Sequence, residues 1–75
     1  RHSGKDVIRF LSLQGFEVIT QKGSHVKLRR YGQNGAKETL LIPKHDELDT
    51  GTLKAIYRQI SQYISEQDLQ FFFTD

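Results

Sequence analysis

Gln21-Lys22-Gly23-Ser24-His25-Val26-Lys27-Leu28-Arg29 is the stretch on which the fold turns. A strand-like run ends near Gln21 and a second begins at His25. The Lys-Gly-Ser connection between them is short enough to favour an antiparallel hairpin. Period-2 alternation puts His25, Lys27 and Arg29 on one face and turns Val26 and Leu28 toward a core. One imidazole thus leads a cationic row at the mouth of a tight turn. A fold has no obvious use for that row, whereas a phosphodiester would use all of it.

Working outward, Phe16 to Gln21 is rich in β-branched and aromatic residues and reads as the first strand. His25 to Tyr31 is the second. Asn34-Gly35, inside the turn Gly32 to Ala36, signals another hairpin, from which Glu38 to Ile42 returns as strand three before Pro43 closes it. Upstream, Ser3 with Asp6 three residues on can cap a helix carrying Val7, Ile8, Phe10 and Leu11, ended by a left-handed Gly15. Downstream, Lys44 to Asp49 is polar loop, and a helix starting at Asp49 or Thr50 draws Leu53, Ile56, Tyr57, Ile60 and Ile64 into one apolar stripe. Ser65 with Asp68 starts a short third helix bearing Leu69 and Phe72. In the Phe71-Phe72-Phe73 cluster, Phe72 closes the core and at least one neighbour faces out. The fold class is α+β, α-β-β-β-α plus a terminal helical turn, with a three-stranded antiparallel sheet, helices on one face and the other face wet.

Residues 1–75 make one small domain. Without cysteine, neither a disulfide nor a thiolate metal site can staple it, which suits a reducing cytosol. No apolar run approaches the roughly 20 residues that span a bilayer, and no signal-peptide pattern is present. The formal charge of +2 is split unevenly. Residues 1–37 hold eight Lys and Arg against Asp6 and Glu17, for +6, and residues 38–75 are net −4. The basic half suits a polyanion and the acidic half some other surface.

An unperturbed imidazole titrates near pH 6.5 and can take or give a proton at neutral pH. Against RNA the economical reaction is attack of a 2′-hydroxyl on its own phosphate, for which a protein supplies an acid or base and cations. His25 is the candidate for the first. Lys22, Lys27 and Arg29 are candidates for the second, and the amides of Gly23 and Ser24 can also meet a phosphate oxygen. Ser24 as a nucleophile beside His25 is disfavoured, because strand neighbours face opposite ways. The bland alternatives are a solvated strand for Lys27, Arg29 and Arg30, and a loop hydrogen-bond network for His45. Histidines at 2, 25 and 45 lack zinc-ligand spacing, so no metal is expected.

Five blocks in order carry a resemblance: Ser3-Gly4-Lys5-Asp6-Val7-Ile8, Gly15-Phe16, Gln21-Lys22-Gly23-Ser24-His25, Pro43-Lys44-His45-Asp46-Glu47-Leu48 and Gly51-Thr52-Leu53. Together they resemble the HicA toxin family of toxin–antitoxin systems. The resemblance implies a fold similar to double-stranded-RNA-binding domains and a cytoplasmic mRNA endonuclease (an mRNA interferase) that needs neither metal nor small-molecule cofactor. It implies His25 as the catalytic histidine, mRNA as substrate and a HicB-type antitoxin as partner. The alternatives are a non-catalytic RNA-binding module of the same fold, working by shape and phosphate contacts, and a protein-interaction domain using the acidic half and the terminal phenylalanines.

Overall fold

The computed structural model describes residues 2–73, without the side chain of Phe73. The expectation for the Phe73 ring lies outside the described residues. Along the chain run α1 (Gly4–Leu13), β1 (Glu17–Lys22), β2 (His25–Tyr31), β3 (Lys37–Pro43), α2 (Thr50–Ile60) and α3 (Glu66–Phe73). This is the expected α-β-β-β-α order, with the terminal turn extended to a third helix.

Helix α1 begins where its orphan amides find partners. The Ser3 hydroxyl accepts from the Asp6 amide at 3.1 Å, and the Asp6 carboxylate accepts from the Ser3 amide at 3.3 Å. That reciprocal capping box satisfies two donors at once. At the other end Gly15 takes φ +97°. Phe16 N–H then reaches Leu11 O at 3.0 Å and Gly15 N–H reaches Ser12 O at 3.1 Å, which together form a Schellman motif. The motif turns Phe16 into the core, where only 2% of it is exposed.

The sheet order is β1-β2-β3, antiparallel throughout. Val26 and Leu28 of β2 and Leu40 and Ile42 of β3 are buried beneath the helices, with Val7, Phe10 and Leu11 of α1 and Ile56 and Ile60 of α2. Each such side chain contributes about 1.5–3 kcal/mol by leaving water. Edge strand β1 departs from simple alternation: all six residues are exposed. Its register slips between Val18, opposite Leu28, and Thr20, opposite Lys27, leaving Ile19 as the extra residue of a bulge. At the other edge, the Leu41 amide donates to the Gln59 side chain of α2 at 3.0 Å, so a helix covers part of that edge.

Helix α2 is capped by Asp49, whose carboxylate accepts from the Thr52 amide at 2.7 Å. It ends at Ile60, one turn sooner than its apolar stripe suggests. Ser61 donates its hydroxyl to Arg58 O at 2.8 Å, and the chain turns there. Ile64 therefore lies outside the helix, yet it remains 5% exposed in the core. In α3, Leu69 is fully buried, Phe72 stacks on Phe10 with centroids 4.8 Å apart, and Phe71 is 90% exposed.

The two caps set an acid limit. Asp6 lies below the ordinary carboxylate value chiefly because the Ser3 amide donates to it, and Asp49 chiefly because of the Thr52 amide. A depressed folded-state pKa adds stability above the unfolded value, near 3.8. That stability is lost as pH falls through the folded values. Asp49→Asn keeps a capping oxygen but titrates nothing, so its urea midpoint should depend less on pH below 4 than that of the parent. Parallel curves would remove Asp49 from the acid transition.

Candidate active site

The β1–β2 turn is built by chain-local rules. Lys22 pairs with His25, leaving Gly23 and Ser24 as the loop. Gly23 sits at φ +57° and Ser24 does not enter the positive region, the signature of a type II′ hairpin turn. The Gln21 side chain donates to Gly23 O at 3.0 Å. From the far side the Lys44 amide donates to Ser24 O at 2.6 Å.

His25 opens β2 between Lys22 of β1 and Pro43 of β3, on the face away from the helices. Its side chain is exposed and makes no hydrogen bond or ion pair with other described residues. Cross-strand partners share a face, so Lys22 is the cation beside it. Lys27 stands roughly 7 Å further along β2 and Arg29 roughly 13 Å. Lys27 is exposed, while half-buried Arg29 donates to Thr39 Oγ1 at 3.3 Å. These distances separate the roles open to the cations. A group held against His25 would be within reach of Lys22 and out of reach of Arg29.

The Ser24 hydroxyl is engaged elsewhere, 3.2 Å from His45 Nε2. His45 thus belongs to a loop hydrogen-bond network, as expected, but that network supports the turn carrying His25. Helix α1 holds the same loop: the Gly4 amide donates to His45 O at 2.8 Å. A Cβ on Gly4 would run into Pro43 O and come within 2.6 Å of Lys44 Cα and 2.8 Å of His45 N. These are backbone atoms that cannot swing aside. Gly4→Ala is therefore expected to destabilise by about 1–3 kcal/mol, outweighing a helix-propensity gain that reaches only about 1 kcal/mol in a helix interior. Urea denaturation measures it. Unchanged stability would show that the loop yields freely.

Sequence reasoning missed a second basic group. Lys5 and Arg9 of α1 and Lys44 line a shallow cleft behind the hairpin, between α1 and β1. The helical spacing of Lys5 and Arg9 was a signal, but their proximity to Lys44 depends on packing. The alternative of a solvated strand fails for Arg30, whose side chain turns to the helix side and pairs with Glu38 at 2.6 Å.

No curated protein and no solved structure matches the chain. Among the described residues no helix is long and apolar enough to cross a membrane. One family model does match, that of the HicA toxin of bacterial toxin–antitoxin systems, over residues 4–61. The match takes in α1, the sheet with the His25 turn, the His45 loop and α2. By that match, the chain belongs to the HicA toxin family.

Proposed function

We propose that this toxin is an endoribonuclease that cuts mRNA in the cytoplasm without a metal ion, using His25 as general acid or base. The carrying observation is an exposed imidazole with no described partner, beside Lys22 at the open end of a basic sheet face. The substrate brings its own nucleophile. The 2′-oxygen bonds to phosphorus while the bond to the 5′-oxygen breaks, leaving a 2′,3′-cyclic phosphate. The proton lost by the 2′-hydroxyl, or the one gained by the leaving 5′-oxygen, passes through His25. Lys22, with the amides of Gly23 and Ser24, faces the charge that grows on the phosphate oxygens. Lys27 and Arg29 hold the flanking strand. A HicB-type antitoxin with an acidic surface would silence the toxin by covering His25 and this row. A cognate complex that leaves His25 open to RNA would count against that.

The test is cleavage of a labelled mRNA by the purified chain in EDTA, wild type beside His25→Ala. Cleavage by wild type alone, with cyclic phosphate ends, supports the reading. Equal cleavage by both removes His25 from the chemistry. Binding by both without cleavage by either leaves a non-catalytic RNA-binding module.

A further inference from the structure

The row that begins at His25 does not end at Arg29. The β2–β3 register is unbroken from His25 opposite Pro43 to Tyr31 opposite Lys37, so Tyr31 shares the face of His25, Lys27 and Arg29. Tyr31 is 64% exposed, and its side chain makes no hydrogen bond or ring contact with another described residue. It stands roughly 20 Å along the strand from His25. An open cleft of about 1110 Å³ begins there, lined by Tyr31, Arg29, Gln14, Gln33 and Asn34 among others.

We propose that this cleft holds an unpaired nucleobase of the RNA, stacked on the Tyr31 ring several nucleotides from the bond that is cut. The inference rests on the nuclease reading for its substrate and adds a second contact point to it. Three features of the cleft select this occupant. Arg29 lines the cleft, with Lys27 and Lys37 beside it on the same sheet face, and together they suit a polyanion; of the two carboxylates that also line it, Glu38 is paired with Arg30 and Glu17 lies opposite Arg29. An exposed aromatic ring amid cations is the arrangement that binds single-stranded nucleic acid, because every base has a face to stack. The carboxamides of Gln14, Gln33 and Asn34 each offer both donors and an acceptor, which is what the edge of a base requires. A duplex keeps its bases stacked inside the helix and cannot place one on Tyr31. The cleft therefore distinguishes single-stranded from paired RNA, and it gives the enzyme a preference at a position remote from the scissile phosphate.

The test uses the full chain carrying His25→Ala, so that the RNA survives. In that background Tyr31→Trp introduces the chain's sole indole. Its fluorescence is expected to be quenched by a short single-stranded RNA and left unchanged by the same RNA annealed to its complement. Tyr31→Ala should weaken binding of the single strand about tenfold, and Tyr31→Phe should bind as the parent does. Equal affinity for Tyr31→Ala and Tyr31→Phe, or equal quenching by duplex, overturns the proposal. The two readings fail separately. Tyr31-dependent binding in a chain that never cleaves keeps the cleft and discards the nuclease. Tyr31-independent binding in a chain that cleaves in EDTA does the reverse.

Discussion

His25→Ala is expected to slow metal-free cleavage of RNA by a factor of about 100 to 10,000, the usual worth of a positioned acid or base. RNA affinity should hardly change. The side chain that is lost is exposed and bonded to nothing described, so the fold keeps its contacts. The cations proposed to hold the strand lie elsewhere, on Lys22, Lys27 and Arg29. The loss should therefore fall on kcat with KM preserved, as for an interaction made only in the transition state. Lys22→Ala should differ, because a cation serves both the bound phosphate and its transition state. A His25→Ala chain that loses affinity and rate in equal proportion would make His25 a binding residue.

Arg30→Met should be the most damaging of the surface-accessible changes to stability, at about 3 kcal/mol, or more than about 10 °C in Tm for a domain of this size. Its guanidinium donates to Glu38 at 2.6 Å, to Gln14 O at 2.6 Å and to Tyr63 O at 2.9 Å, and lies 4.7 Å over the Phe16 ring. One side chain thus ties the end of α1, the turn after α2 and strand β3 together. Methionine fills similar volume but strands a half-buried carboxylate and two carbonyls. Arg30→Lys should recover only part of the loss, since a single ammonium cannot serve three directions. Its strand neighbour supplies the control. Arg29→Met removes one partly exposed bond and should leave the urea midpoint almost where it was, while weakening RNA binding. Equal destabilisation by the two substitutions would dismiss the clamp.

Arginines 29 and 30 also mark how far the sequence can be read. Alternation along β2 places them on opposite faces, yet only the register opposite Glu38 and the nearby ends of α1 and α2 turn Arg30 into a clamp. The same divide runs through β1. Its residue types announce a strand, but whether Val18 or Ile19 points inward depended on a bulge that no local rule signals.

What the sequence by itself determined is whatever lies within a few residues of its cause. This includes the Ser3–Asp6 cap, the left-handed Gly15, Gly23 and Gly35, the two hairpins, and the face that His25 shares with Lys27 and Arg29. These follow from sterics and hydrogen bonds that the chain satisfies locally. Tertiary structure alone decided the contacts across long separations: His45 with Ser24, 21 residues away, Arg30 with Tyr63, 33 residues away, and the cleft that gathers Tyr31 with Gln14. Such pairs meet only after strand register and helix packing are set, and these depend on the burial of the whole core.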